Sequence, residues 1–458
     1  MSTHHETQQQ QAQEPPSRTS SSSHASELSD DRTTQHNNDQ EKGRLDNKED
    51  DSDPNDDPPP DGGYGWFIVL ATFLSLFAVF GTNISWGVMQ DYFEQNTFGE
   101  SARVDLSFVS TLMLIATTSG SLFSRIFEIV LGMRFAFLLG SLLYTCGLVA
   151  AGSATEIWHL YLALGLCNGL GDAIIYGIGM RVTPQWFTKK RSTAMAMAAS
   201  ATGLGGLVIP FIMTACNEKL GASWTFRIIG LGFLAFNLTA CALMKERVPV
   251  QSKLTGVGDF FRPVLLKDVN FSLWVAAAVF QTFYLYIPPF FIPSYATYIG
   301  LTAPQGSALV SVLSATNFAG RIAAGILADR IGCLNANLIY ALVTCVISLA
   351  VWTLAYDYGT LMAYAALFGF FGGSFYALCG PITVSVVGLK KYPYAFPLLM
   401  LTNIPALFGP PIVSAIENVS TAQPFLTYKL FTGLTAFACA VVTIILRLRL
   451  SRKLIAKV

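Results

Sequence analysis

A charged side chain inside a long apolar run carries a cost of about 2.5–3.5 kcal/mol on membrane-insertion scales, so each one calls for a reason. The best-ordered set is Ser311, Ser314, Asn317 and Arg321. Their spacing of i, i+3, i+6 and i+10 puts them on one face of a helix. A guanidinium on that face can grip a carboxylate with two parallel N–H donors, which an ammonium cannot do. The same arginine can instead tie to carbonyl groups or to Asp329 and simply hold helices together. A second stripe, Asn168, Asp172 and Tyr176, recurs at i, i+4 and i+8. Asp172 is the most central carboxylate; it can pair with Arg321, carry a proton, contact a ligand, or hydrogen-bond a neighbouring helix without further role. Arg181 is nine residues on, about 180° around the same helix, near an end where it can snorkel. Asn83, Trp86 and Gln90 share one helix face, and Gln281, Tyr284 and Tyr286 precede Pro288-Pro289 on another helix. Tyr376, and Asn403 beside Pro405, complete the set. Aromatics with a few polar groups suit a bulky, partly apolar organic ligand, although each ring taken singly fits core or lipid packing as well.

The elements that must position these residues are membrane helices. The 458 residues are 52% hydrophobic and 13% charged, whereas soluble domains carry about a quarter charged residues. Residues 1–60 hold 14 Asp/Glu against 5 Lys/Arg and are rich in Gln, Ser, Asp, Asn and Pro. Such a segment cannot bury enough apolar surface to offset chain entropy, and it is predicted to be a disordered acidic cytosolic tail. It lacks the layout of a signal peptide. Four of the five His lie in it, leaving His159 in the body, and the eight Cys stand singly with no CxxC pair. Metal sites, disulfide frameworks and His-based catalysis are therefore disfavoured. No cofactor motif is present, and Gly169-Leu-Gly171 lies inside an apolar helix without a preceding strand or a GK[ST]. An enzyme is not expected.

Spanning the ~30 Å hydrocarbon core takes about 20 helical residues. Apolar runs centred near Thr72, Met113, Leu142, Leu170, Ala201, Phe233, Ala278, Val312, Thr344, Phe368, Ala406 and Phe437 give twelve helices. The place most open to a miscount is Pro381–Pro411. With a cytosolic N-terminus, eighteen Lys/Arg fall in the inner segments against four (Arg103, Lys219, Arg227, Lys429) in the outer ones. That bias predicts cytosolic termini at both ends. The expected fold is all-α: twelve transmembrane helices in two six-helix bundles. The bundles would be 61–248 and 271–447, joined by a cytosolic linker 249–270 and followed by a basic tail 448–458. An internal echo supports the repeat. Gly325-Ile-Leu-Ala-Asp329-Arg330-Ile-Gly332 stands between helices 8 and 9. Between helices 2 and 3 stands Ser124-Arg125-Ile-Phe-Glu128-Ile-Val-Leu-Gly132-Met-Arg134, with Glu for Asp and the glycine one position late.

With these runs in view the chain resembles the major facilitator superfamily, whose helix 8–9 signature G-x-L-A-D-R-x-G it matches from Gly325 to Gly332. Within it the chain resembles the fungal branch of the monocarboxylate porter family over about residues 61–450. Asp61-Gly-Gly-Tyr64-Gly-Trp66 opens helix 1 as that family does. Trp186-Phe-Thr-Lys189-Lys190-Arg191-Ser-Thr-Ala194 enters helix 5 as its aromatic-basic motif does, and Arg321 sits four residues before Gly325. Proton-coupled members are associated with a lysine in helix 1 and an aspartate one turn before the helix 8 arginine. Here those places are Asn83 or Ile84, and Asn317.

The resemblance implies a twelve-helix secondary carrier working by alternating access, active or facilitative, for a small organic acid or related metabolite across the plasma membrane. Export of a secondary metabolite and import of a vitamin are both open. A rival of another class is a non-transporting nutrient sensor on the same fold. The expected substrate contacts are Arg321, Asn317, Asp172, Asn168, Tyr176, Asn83, Tyr284, Tyr376 and Asn403. Gating is expected from Gly325, Asp329, Arg330, Gly332 and Glu128. Asp329 would meet the positive end of a helix or an arginine and latch one side, while Arg330 stays at the headgroups. Lys189-Lys190-Arg191 is an orienting cluster or a second latch. Gly203, Gly205 and Gly206 before Pro210 form a close-packing surface. The glycosylation site in a predicted outer loop is Asn418, in Asn-Val-Ser. The partners expected are a small anionic molecule and the lipid bilayer, with no nucleic acid and no partner protein.

Overall fold

The structure, a computed structural model, describes residues 61–99, 102–247, 262–421 and 423–450. The acidic tail, most of the linker and the last eight residues lie outside the described residues, as does the side chain of Asn418. All the regular structure described is helical. The helices are α1 (Gly65–Phe93), α2 (Arg103–Leu131), α3 (Met133–Ala151) and α4 (Ile157–Trp186), then α5 (191–220) and α6 (222–243). After the linker come α7 (Val269–Tyr298), α8 (Ala303–Ile331), α9 (Cys333–Trp352), α10 (Tyr358–Val387), α11 (Tyr392–Glu417) and α12 (Leu426–Leu450).

Ten helices pass as spans by length and apolarity when the run Arg191–Leu243 counts once. That run is 53 residues long, too much for one crossing, and Gly221 breaks it at φ 77°, ψ 169°. A side chain at that φ clashes with its own backbone, so glycine sets the α5–α6 boundary. The twelfth span is α2, bent by 53° between Ser121 and Phe123. Among the described residues twelve spans therefore stand where the apolar runs predict them. The ambiguous pair turns out to be α5–α6. Around Pro381–Pro411 the helices α10 and α11 are separate, parted by Gly388 at φ 80°.

Large apolar side chains point outward as well as inward: Phe211 is 64% exposed and Phe290 63%. Lipid is the medium in which such a surface costs nothing. The packing repeats between the first six and last six helices. Pairs α2–α4 and α3–α6 recur as α8–α10 and α9–α12. Phe77 meets Phe233 between α1 and α6 at 6.1 Å, and Phe291 meets Tyr428 between α7 and α12 at 4.1 Å. The backbone repeats too: the Gly132 amide caps the Glu128 carbonyl at 2.8 Å, and the Gly332 amide caps the Ala328 carbonyl at 2.8 Å. This equivalence puts Glu128 in register with Ala328, not with Asp329. A one-residue offset rotates a side chain by about 100° on a helix, so the two acids of the echo motif face different neighbours.

The two motifs at the chain's entry into the membrane interlock. Asp61 Oδ1 accepts from the backbone amides of Thr188, Lys189 and Lys190 at 2.7, 2.8 and 3.2 Å. Trp66 packs edge-on against Phe187 at 5.1 Å, and the Tyr64 hydroxyl donates to the Leu243 carbonyl at 2.8 Å. These contacts share one end of the molecule, the linker end, with the α2–α3 and α8–α9 turns and with Arg262, which covers the Tyr394 ring.

Candidate functional site

Arg321 is buried where α8 meets α5. Its Nη1 donates to the Ala199 carbonyl at 2.8 Å and to the Thr202 hydroxyl, while Nε has no hydrogen-bond partner among the described residues. Both readings of the arginine thus meet in one side chain: one nitrogen joins helices and another is left over. The guanidinium lies 5.4 Å from the Tyr376 ring, whose hydroxyl is 2.6 Å from that of Tyr286. Phe80 of α1 connects Tyr376 of α10 to Tyr176 of α4, with ring centroids 5.6 and 5.4 Å apart. Tyr176 continues to Phe396 of α11 at 5.9 Å and to the Met400 sulfur at 3.9 Å. A cation and a chain of rings therefore cross from the last six helices to the first six. Aromatic faces beside a desolvated guanidinium suit a flat, conjugated group with a negative end.

Asp172 does not join this group by an ion pair. It is 0% exposed, and Oδ2 accepts from Asn83 Nδ2 at 3.1 Å and from the Thr117 hydroxyl at 3.5 Å. Asn168, one turn earlier, donates to the Tyr144 carbonyl at 3.1 Å. This patch is built from α1, α2, α3 and α4. In the last six helices Asn317 donates to the Gly369 carbonyl at 3.3 Å, and Asn403 accepts from the Thr282 hydroxyl at 3.0 Å. Tyr284 is fully buried, whereas Tyr286 is the tyrosine beside Arg321. Two residues along a helix is about 200° of rotation, so the pair cannot face one place. Trp86 donates to the Leu106 carbonyl at 3.1 Å and Gln90 to Glu94 at 2.8 Å, both away from the rings.

At the linker end Asp329 caps α5 across the two halves. Its two oxygens accept from the amides of Ser192 and Thr193 at 2.9 and 2.8 Å. The α5 N-terminus presents unpaired N–H groups and positive potential, which a carboxylate satisfies. Gly325, one turn back, makes the approach feasible: a Cβ there would meet the Ala196 side chain, the Ser192 carbonyl at 2.7 Å and the Thr193 Cα at 3.0 Å. Gly325→Val is accordingly expected to push α8 off α5 and to speed maleimide labelling of Cys333, whose sulfur lies 4.0 Å from the Ser192 hydroxyl. Unchanged labelling, read by peptide mass spectrometry, would count against this contact as a gate. The glycines of α5 serve two neighbours, Gly205 against Gly81 of α1 and Gly203 against the Phe318 backbone of α8. Arg330 is exposed, as are Lys189 and Lys190, while Arg191 Nε turns inward to the Phe187 carbonyl at 2.9 Å.

Two expectations are corrected here. Arg181 does not snorkel: it is 7% exposed and pairs with Glu128 at 2.6 Å and Glu246 at 2.9 Å. Glu128, 4% exposed, does not copy the Asp329 latch; it stays within the first six helices, held by Arg181. The reach across on that side belongs to Arg125, whose guanidinium covers the Tyr394 ring of α11 at 4.1 Å. Arg262 covers the same ring at 4.2 Å. A cavity of about 20 Å³ lies here, lined by Ser124, Arg125, Glu128, Arg181, Tyr392 and Phe396. It has room for one water.

Comparison with known proteins decides the family. The model of the Major Facilitator Superfamily matches residues 68–357. The chain belongs to that superfamily. It is a multi-pass membrane transporter, in a family of transporters and not of enzymes. The superfamily's outward-conformation FucP crystal structure superposes with a TM-score of 0.62 at 16% identity, covering 83% of this chain and 98% of that one. The fujikurins efflux protein of Gibberella fujikuroi is 28% identical over 382 residues, 81% of this chain and 80% of that protein. The riboflavin transporter MCH5 of Saccharomyces cerevisiae is 26% identical over 416 residues, 84% and 79%. The superfamily fold explains what sequence reading missed, namely the pairing of Arg181 with Glu246, 65 residues apart. It also explains the joining of the Asp61 and Trp186 motifs. Both arise because α1, α4 and the end of α6 converge at the linker end, and no local periodicity encodes that convergence.

Proposed function

We propose that this superfamily member is an alternating-access carrier of the monocarboxylate porter type. Its substrate would be a small organic anion bearing a flat, conjugated or aromatic part. The observation that carries the reading is Arg321: a buried guanidinium with an unpartnered Nε, set beside Tyr376 and Tyr286 where the two halves meet. Asn317 and the Tyr176–Phe80 rings would shape the same place, and Asp329 on α5 would govern closure of the linker end. The lysine and arginine bias supports placing that end, with both termini, in the cytosol, and the plasma membrane is the location proposed. The relatives' names leave both directions of transport open, since one is an efflux protein and another a riboflavin transporter. The two-bundle domain division at residues 248–271 belongs to this proposal.

Uptake and efflux of labelled aromatic acids, simple monocarboxylates and vitamins by cells making the full chain test it. Arg321→Lys is expected to reduce flux of an anionic substrate roughly tenfold, the scale of one lost two-point contact. Normal flux in that variant would remove the arginine from substrate binding.

A further inference from the structure

We propose that the last six helices carry a seam of bound water along α9, between α7 and α10 and apart from the Arg321 site. The ligand is water itself, held by two groups of neutral side chains. The inference goes beyond the carrier reading and does not depend on what the chain transports.

Buried polar atoms without a hydrogen-bond partner mark the place. Between α7 and α9 these are Gln281 Oε1, the Tyr284 hydroxyl, Asn337 Nδ2 and the Thr344 hydroxyl. Toward the α9–α10 turn they are the Ser348 hydroxyl, Trp352 Nε1 and the Tyr364 hydroxyl. All of these residues are 0% exposed. Gln281 Nε2 ties the first group together, donating to Asn337 Oδ1 at 2.9 Å and to the Ser374 hydroxyl of α10 at 3.1 Å. Tyr284 lies beside Gln281 and Ser374. In the second group the Trp352 and Tyr364 rings stack at 4.9 Å, and Ser348 neighbours the Tyr364 hydroxyl. Asn337, Thr344, Ser348 and Trp352 follow one another at helical spacing along one face of α9. From first to last they cover about 22 Å at 1.5 Å per residue. Tyr284, expected at the substrate site, belongs to this seam, while Tyr286 turns to Tyr376 and Arg321.

The first six helices provide an internal control. Counted from the matching Gly132 and Gly332 turns, α3 holds Phe137, Tyr144 and Leu148 where α9 holds Asn337, Thr344 and Ser348. Phe283 of α7 meets Gly409 of α11 as Gly81 of α1 meets Gly205 of α5, so Tyr284 stands where α1 has Thr82. In that first half the Thr82 and Tyr144 hydroxyls lie 2.6 Å apart, and Tyr144 donates to the Ala78 carbonyl at 3.0 Å. The same pair of residue types, exchanged between α7 and α9, makes no such bond. Phe137 and Leu148 close the rest of the α3 face with buried apolar packing. The fold therefore works with a dry face here, and the polar groups of α9 call for a partner, because a bare buried donor or acceptor carries its full desolvation cost. Their chemistry names it. Asn337 Nδ2 and Trp352 Nε1 only donate, Gln281 Oε1 only accepts, and the hydroxyls do both. A metal cation uses acceptors alone, an anion uses donors alone, and no charged side chain belongs to the set. Water serves both kinds and makes about three hydrogen bonds when buried. Bridged through water, α7 and α9 can shift and re-form their contacts, whereas α1 and α3 are pinned directly.

X-ray radiolysis of the purified full chain in lipid nanodiscs tests the seam, since hydroxyl radicals made from bound water oxidise the side chains beside it even when these are buried. Tyr284 and Tyr364 are expected to be oxidised roughly tenfold faster than Tyr144, a tyrosine equally buried in the first six helices. Tyr284→Thr combined with Thr344→Tyr gives α7 and α9 the pair that α1 and α3 have. Oxidation at position 344 is then expected to match that of Tyr144, while Tyr364 stays fast. Ser348→Leu, which installs the α3 residue, is expected to slow Tyr364 and leave Tyr284 unchanged. Equal rates for Tyr144, Tyr284 and Tyr364 in the wild type would overturn the seam, and that comparison needs no variant to fold. Fast oxidation accompanied by fast amide hydrogen exchange along α9 would assign the signal to local opening and overturn it as well. Rates that follow sodium or chloride at constant ionic strength would overturn water as the ligand in favour of an ion. None of these readouts needs a transported substrate, so failure of the organic-anion reading stays distinguishable.

Discussion

Arg181→Met is expected to destabilise the protein by about 3–5 kcal/mol, the usual cost of removing one partner from a buried ion pair. Glu128 would be left inside α2 and α4 at 4% exposure with no cation bonded to it. Glu246, at 25% side-chain exposure, can turn to water and contributes less. The comparison that isolates the cause is the combined Glu128→Gln, Arg181→Met variant. With both buried charges removed, the penalty should fall well below that of the single change. Thermal unfolding in one detergent measures all three, as a half-life at fixed temperature if unfolding is irreversible. A single variant as stable as wild type would show that the triad holds nothing at the linker end.

Asp329→Ala is expected to shift the balance toward an open linker end by about 30- to 100-fold. Each of its two hydrogen bonds to the Ser192 and Thr193 amides is charge-assisted, a class worth about 1.5–3 kcal/mol apiece before the half-exposed setting screens them. A net loss of about 2–2.8 kcal/mol gives that factor at 1.4 kcal/mol per tenfold change. Cys333 reports it without engineered probes, because its sulfur faces Ser192 in the closed contact. Asp329→Glu should recover part of the closure, since the longer acid still reaches a helix terminus. Equal labelling rates in wild type and Asp329→Ala would mean that glycine packing at Gly325 closes this end unaided.

Much of this architecture is legible in the residues. Twelve apolar runs give twelve spans, and left-handed glycines at 132, 221, 332 and 388 mark where neighbouring spans turn. Helical spacing groups Asn168, Asp172 and Tyr176, and Arg321 with Asn317. In the structure Asp172 meets Asn83 and Thr117, Tyr176 meets Phe80, Asn317 meets Gly369 of α10 and Arg321 meets Ala199 of α5. Periodicity says which residues share a face. It is silent on how each helix is rotated about its own axis. Hence Tyr284 is expected at the site where Tyr286 stands, beside Tyr376 and Arg321, and Asp172 could not be told to face α1 and α2 rather than Arg321. Distant partners are hidden for a related reason. Glu246 follows α6 in a polar stretch where a carboxylate looks like ordinary solvated charge, and only the convergence of α2, α4 and α6 turns it into a counter-ion for Arg181. The displaced glycine at 132 did carry a readable signal, because a shift of one position against an otherwise matched repeat implies a different heading for Glu128.

The Asp61 clamp on Thr188, Lys189 and Lys190 has a consequence for closure. It belongs to the first six helices, so it keeps the entrance of α5 shaped whether or not Asp329 is docked two residues further on. The socket is therefore ready-made, and re-docking orders no backbone there. On the alternating-access reading proposed above, return to the shut state costs little conformational entropy at that seam.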